Sequence, residues 1–326
     1  MRAIVVHKQG GPEVLTLEDI PDPEPGPGQA LIRVAYAALN PLDILARGGK
    51  VDWGVPPLPF VPGYEYAGRI EAVGDGVDTA LIGRRVASAG EWGGNGEFAV
   101  ATAAQLVPVP DAFDWRLGAC FFTCAYTAWH LIHTAGRVAP GQVVVVHSGA
   151  GALGVMTTQV AKSAGATVIS FVGGPEKIAW AKEFGADHFV DYRAQDFDAE
   201  VMRLTGGGGA DLIIDGVQGP DAPKNLGCLK HFGRVIYMGA VGGLAPEVNI
   251  SELIGKSAGV SGFVLYHAMA LTKGAEAAEI EAALSSGTWR MPMNDPVPLE
   301  QVPDLHRAFE ARELKGRSLI RVGGEI

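Results

Sequence analysis

The stretch VVVVHSGAGALG, Val143 to Gly154, carries Gly149, Gly151 and Gly154 in a G-x-G-x-x-G spacing. Val143 to Val146 is an unbroken β-branched run, the pattern of a strand buried on both faces. From Ala152 to Ala164 the apolar residues return at helical spacing, and Gly165 stands where a C-cap would stop the helix. The glycines therefore lie at a strand-to-helix turn, with Ala152 and Leu153 opening the helix. Backbone amides and the helix dipole at such a turn hold a pyrophosphate when no side chain blocks its approach. An ordinary glycine-rich turn is the alternative. It is the weaker one, because strand, glycines, helix and second strand occur together.

Outward from this turn the pattern alternates. Strands are expected near Val143–His147, Thr167–Phe171, His188–Val190, Leu212–Asp215 and Arg234–Met238, and Val260–Val264 offers a sixth. Helical segments Ala152–Ala164, Glu176–Phe184, Phe197–Leu204 and a stretch near Pro220–Leu229 separate them. This alternation predicts a doubly wound parallel sheet. A long helix over Asp114–Ala135 leads into it. Residues 1–113 read instead as short strands joined by turns, among them Ala30–Ala37, Tyr64–Val73, Glu97–Val100 and Leu106–Val109. Near the other end Leu299–Glu313 is helical in pattern and Arg317–Val322 strand-like. This last strand is expected to return to the amino-terminal domain and leave a cleft between the domains, a common place for substrates. The expected boundaries are 1–113, completed by about 266–326, and 114–265.

Composition narrows the function classes. With 48% hydrophobic and 19% charged residues in 326, the chain suits a compact two-domain protein. A net charge of −10 without a basic cluster opposes nucleic acid and anionic membranes as partners. The apolar stretch in MRAIVVHKQGG is too short for a signal peptide, and no stretch reaches membrane-span length, so a cytoplasmic location is expected. Cys120, Cys124 and Cys228 form no disulfide framework, and three thiols cannot make a four-thiolate zinc site in one chain. His130 and His133 lie on a mostly apolar helix and read as packing residues. Thr205–Gly209 reads as a connector rather than a phosphate cradle.

The choice of dinucleotide rests on the second strand of the unit. An acid at its end would bind the ribose of NAD. Here the strand ends Phe171-Val172-Gly173-Gly174, and Glu176 falls in the first turn of the next helix. Lys177 suits a 2′-phosphate, and Tyr192, after the third strand, suits the adenosine side. NADPH is therefore expected.

Further motifs run through the chain: Asn40-Pro41-Leu42-Asp43, Pro62-Gly63-Tyr64-Glu65-Tyr66-Ala67-Gly68, Ala125-Tyr126-Thr127-Ala128-Trp129, Gln159-Val160-Ala161-Lys162, Phe184-Gly185-Ala186-Asp187, His306-Arg307-Ala308-Phe309-Glu310 and Gly316-Arg317. Together they resemble the zinc-free quinone oxidoreductase (zeta-crystallin-like) group of the medium-chain dehydrogenase/reductases, over nearly the whole length. The resemblance implies an α/β chain, a GroES-like β-rich catalytic domain plus a Rossmann-type domain. Zinc-dependent members bind their metal through a Cys, a His and a further Cys or acid. By motif, Asn40 stands at the first position, Tyr64 at the second and Thr123 at the third with Cys124 beside it. Amide and phenol are poor zinc ligands, so no metal is expected.

The resemblance further implies Asn40, Asp43 and Tyr64 at the base of the active cleft. Asn40 would hydrogen-bond an acceptor oxygen or a ribose hydroxyl, Tyr64 would donate to the acceptor oxygen or serve as an aromatic wall, and Asp43 would brace the loop. Many relatives carry a Tyr two residues after the motif Asp, where this chain has Leu45. Thr127, Val217, Gly239, Phe263 and Val264 are implied near the cofactor, Arg317 at its phosphates. Oxidising an alcohol without a Lewis acid is disfavoured, whereas a quinone accepts hydride and leaves a weakly acidic phenol. NADPH-dependent quinone reduction is thus the leading expectation. Reduction of an enone, alkenal or enoyl thioester is second, and a non-catalytic cofactor-binding protein third. A homodimer through the cofactor domain is implied as well.

Overall fold

The computed structural model describes residues 1–51, 54–244 and 247–326. The chain divides into two compact units, residues 1–123 with 293–326 and residues 124–292. The divisions expected at 113 and 265 therefore move. Polar ties explain the second shift. Trp129 Nε1 donates to Glu279 (2.9 Å), and Gln159 exchanges bonds with the backbone of Arg290 (2.9 and 2.8 Å), so residues 266–292 stay with the second unit.

The first unit is β-rich. β1 (Arg2–Val6) and β2 (Leu15–Asp19) form an antiparallel pair. β3 (Gln29–Ala38), β4 (Glu65–Val73), β5 (Arg85–Ala89), β6 (Phe98–Thr102) and β7 (Val107–Pro108) build a second sheet. β3 organises it. Ala30, Ile32 and Val34 alternate inward, and from Val34 to Ala38 every residue is buried. Phe98–Thr102 pairs with Gln29–Arg33 in the first half of β3, and Leu319–Arg321 from the far end of the sequence pairs with Tyr36–Ala38. Burying a side chain such as Ile32 contributes about 2 kcal/mol. A helix, Pro41–Arg47, leaves the end of β3.

The second unit holds β8 (Val143–Val146), β9 (Thr167–Val172), β10 (His188–Asp191), β11 (Ala210–Asp215), β12 (Leu229–Tyr237) and β13 (Gly259–Gly262). They form one parallel sheet in the order β10-β9-β8-β11-β12-β13. The order reverses between β8 and β11, the switch point at which doubly wound sheets bind dinucleotides. Val145, Ile169, Phe171, Ile213 and Val235 make its core. The chain then returns to the first unit as β14 (Val297–Pro298) and β15 (Leu319–Arg321).

Three elements differ from expectation. Asp114–Ala135 is not one helix. An α-turn at Trp115–Gly118 is followed by π-helical segments Phe122–Tyr126 and Leu131–Ala135 around Thr127–His130. The i→i+5 bond from Gly136 N–H to Leu131 O (2.9 Å) closes the second of these. The Pro220–Leu229 helix shrinks to the turn Lys224–Gly227. The last strand begins only at Leu319 because Arg317 turns inward.

Candidate active site

In the first unit Asn40, Asp43, Glu65 and Arg317 form one buried polar group, which the backbone N–H of the half-buried Tyr64 joins through Asp43. Asn40 ends β3 and precedes the first turn of helix Pro41–Arg47. The Asp43 carboxylate accepts the Asn40 N–H at 2.9 Å, and the N–H groups of Gly63 and Tyr64 at 3.0 and 3.1 Å. Gly63 is required in that turn, since its φ is +99° and a Cβ there would lie 2.4 Å from the Asn95 backbone nitrogen. Burial pushes the Asp43 carboxyl up to about 6, against the pull of its three N–H donors and of Arg317.

Asn40 has both ends of its amide engaged. Its Nδ2 donates to Ala38 O and Glu65 Oε2, each at 3.2 Å. Its Oδ1 accepts from both terminal nitrogens of Arg317, each at 3.2 Å. Arg317 also donates to Leu39 O at 3.0 Å and pairs with Glu65. Glu65 has no solvent exposure and takes the Thr123 N–H at 2.8 Å. A guanidinium thus supplies the positive charge beside Asn40 and Glu65. Arg317, expected from the resemblance at the cofactor phosphates, has a buried guanidinium that donates to Leu39 O and Asn40 Oδ1 and pairs with Glu65. Tyr64, half-buried, sets its ring edge-on against Trp92 at 5.4 Å. Thr123 Oγ1 is buried without a hydrogen-bond partner.

In the second unit the expected cofactor residues gather at one edge, because all six strands run parallel and end together. Gly149, Gly151, Ala152, Leu153 and Gly154 follow β8, Lys177 follows β9, and Tyr192 follows β10. Val217, Gly239 and the pair Phe263–Val264 follow β11, β12 and β13. Thr127 is buried on helix Thr127–His130.

The glycine turn fits a pyrophosphate. A Cβ on Gly154 would come within 2.3 Å of Ser148 O, and one on Gly149 within 1.7 Å of Ser170 Oγ. These two glycines let helix Ala152–Ser163 start directly against β8 and β9. No side chain caps that helix, so the first-turn amides of Ala152, Leu153 and Gly154 point outward with no intrahelical acceptor. At the end of β9, Gly173 packs under the Tyr192 and Arg193 side chains, and a Cβ there would meet Tyr192 Oη at 2.5 Å and Arg193 Nε at 3.0 Å. Lys177 is half-buried in the next helix and Arg193 is exposed. The place of the ribose-binding acid is thus taken by glycine with Tyr192 and a cation over it, an arrangement suited to an extra phosphate.

Sequence reasoning gave no role to Glu65, Arg193, Asp215, His147 or Asn225. Glu65 sat inside a quoted motif and Arg193 beside Tyr192, but neither neighbour shows what a side chain touches. His130 is fully buried, bonded to Thr134 Oγ1 (2.8 Å) and Glu276 Oε1 (3.3 Å), consistent with a packing residue. His133 stacks on Trp129 at 4.7 Å, although its Nε2 is left without a hydrogen bond.

Comparison with known proteins agrees with this architecture. Residues 26–111 match the alcohol dehydrogenase GroES-like domain, and residues 152–281 match the zinc-binding dehydrogenase family. The chain is 32% identical to the human quinone oxidoreductase over 94% of its own length and 93% of that protein. It is 34% identical to a Burkholderia 2-haloacrylate reductase over 78% of its length and 77% of that protein. The Escherichia coli quinone oxidoreductase solved with NADPH superposes with a TM-score of 0.91 at 27% identity, covering 98% of this chain and 100% of that one. The chain belongs to the quinone oxidoreductase group of the medium-chain dehydrogenase/reductase superfamily.

Proposed function

We propose that this protein is an NADPH-dependent oxidoreductase of the quinone and enone reductase type, working without zinc, with a quinone as its preferred acceptor. The observation that carries the reading is the buried Arg317–Glu65–Asn40 group. A fixed guanidinium occupies the positive role beside Glu65, and Asn40 has both amide ends engaged. That donor set favours an acceptor already electrophilic enough to take a hydride without a Lewis acid.

When bound, the cofactor supplies the hydride. The Gly149–Gly154 turn and the first amides of the following helix would hold its pyrophosphate. Lys177, Arg193 and Tyr192 would hold the 2′-phosphate and adenosine. Asp43 holds the backbone of Gly63 and Tyr64, and so places the Tyr64 ring against Trp92 as one wall for the acceptor. The remaining work is holding the reactants in line and excluding water. Water suffices as the proton source for a phenolate-like product.

An activated alkene is the second reading, supported by the similarity to the 2-haloacrylate reductase. A homodimer is supported by the open outer edge of β13 among the described residues of the second unit, which also exposes Leu244, Ile254 and Leu271. A cytoplasmic location rests on the sequence, and no helix among the described residues is long and apolar enough to cross a membrane.

The test follows NADPH oxidation with a benzoquinone, a simple enone and no acceptor, with and without chelator. Quinone turnover that resists chelator is expected. Turnover of the enone alone would reverse the order of acceptors, and loss with chelator would overturn the zinc-free reading. Lys177→Ala and Arg193→Ala should each raise the KM for NADPH by about tenfold, worth about 1.4 kcal/mol, and leave that for NADH nearly unchanged. An equal rise for both dinucleotides would remove these residues from 2′-phosphate recognition.

A further inference from the structure

The switch point of the second unit contains a buried polar chain with a single direction. His147, the residue after β8, lies with its Nε2 2.8 Å from Asn225 Oδ1. Asn225 is fully buried, and its Nδ2 donates to Asp215 Oδ2 at 2.9 Å. Asp215, the fully buried last residue of β11, accepts the N–H groups of Val217 and Gln218 on its other oxygen, each at 2.8 Å. The loop so held is laced to the next one. Gln218 Nε2 donates to Gly239 O at 2.6 Å, Gly242 N–H to Val217 O at 2.8 Å, and Gly219 N–H to Gly243 O at 2.8 Å.

The order of donors leaves one consistent assignment. Asp215 can only accept, so Asn225 must turn its amide nitrogen to it and its oxygen to His147. His147 must then carry a proton on Nε2, and its Nδ1 lies 3.9 Å from Asp215 Oδ1. Burial favours the neutral ring, which packs between Phe171 (4.8 Å) and Phe197 (5.5 Å). From β12 the Tyr237 hydroxyl lies near the same group, directed at Ala222 O at 3.5 Å.

We infer that His147 is a positioning residue for the dinucleotide: through Asn225 and Asp215 it fixes the loops after β11 and β12, which face the glycine turn across the switch point. The proposal rests on the reading of NADPH as the cofactor. His147 touches none of the loop amides itself. Its Nε2–H binds the amide oxygen that Asn225 turns away from the Asp215 carboxylate, holds Asn225 in place against it, and so preorganises the crevice.

Two measurements on the whole protein test this. In the free protein, hydrogen exchange at the Val217 and Gln218 amides should quicken in His147→Leu and return toward wild type in His147→Gln, whose amide can still donate to Asn225. NADPH titration should show the dissociation constant raised about tenfold in His147→Leu and within about threefold of wild type in His147→Gln, with the KM for quinone unchanged. If His147→Leu does not fold, His147→Asn, too short to reach Asn225, replaces it with the same expectation. Unchanged exchange and affinity in the Leu or Asn variant overturn the proposal, as does equal damage in the Gln variant. If the wild type binds no NADPH while the exchange results hold, the cofactor reading fails and the loop anchor stands.

Discussion

Glu65 and Arg317 show what a single residue does here. Both are buried, and each compensates the charge of the other, while Asn40 bonds to both, Leu39 O accepts from Arg317 and the Thr123 N–H donates to Glu65. Removing one partner is therefore costlier than removing both. Glu65→Gln should lower the unfolding free energy by about 3–5 kcal/mol in urea at pH 7, because Arg317 stays buried without its counter-charge. Glu65→Gln combined with Arg317→Met should recover part of that loss. An equal or larger loss in the double variant would show that the charge pair is not the cause. Asn40, Asp43 and Tyr64 were legible as a cluster through their motifs. The side-chain partners of Arg317 were not, because a motif fixes a residue's position along the chain and not the partner its side chain finds.

At the scale of elements, two helices far apart in sequence are tied together. Arg47, at the end of helix Pro41–Arg47, pairs with Glu310 and lies 3.4 Å from His306 Nδ1, both on helix Val302–Glu310. The His306-to-Glu310 motif therefore anchors the helix that carries Asp43. Burial, with Arg47 adding to it, holds the His306 imidazole at about 3, well below its ordinary 6.5. The folded state thus resists a proton that the unfolded chain accepts. Stability from this group is complete above about 6.5 and is lost as pH falls toward about 3, by about 1.4 kcal/mol per pH unit. Asp43 acts with the opposite sign between 3.8 and about 6, where the folded state holds the extra proton. Urea unfolding of wild type and His306→Gln at several pH values should show the two stabilities converging as pH falls. Parallel curves would exclude His306 as the source. The strands, being periodic, were largely legible. The helix expected at Asp114–Ala135 was not, because its apolar pattern suits α- and π-turns alike.

At the scale of the molecule, β13 pairs with β12 alone among the described residues of the second unit, which also carries large apolar side chains in solvent: Leu244 is 80% exposed, Ile254 74% and Leu271 75%. An open strand edge and exposed apolar side chains are what the proposed second copy would cover. Light scattering should report a dimer for the wild type and a monomer for Ile254→Lys combined with Leu271→Lys. A monomeric wild type would remove the proposed assembly. The parallel sheet and the residues at its carboxyl edge were open to sequence reasoning, since strand, turn and helix recur with a period that local patterning records. The positions of the unit boundaries were not, because Trp129–Glu279 and Gln159–Arg290 span more than a hundred residues.

By itself the sequence determined the parallel sheet of the second unit, the glycine turn at Gly149–Gly154 and the missing acid at the end of β9. These are local matters of side-chain size, branching and charge along one strand or turn. Only the tertiary structure decided that Arg317 belongs to Glu65 and Asn40, that Arg193 lies over Gly173, and that His147 reaches Asp215 through Asn225. Each of these is a choice of partner for a polar side chain. For the buried groups, Arg317 with Glu65 and Asn225 with Asp215, burial makes the choice compulsory, because an unpaired polar group away from water is expensive, and chain folding determines which partner is within reach.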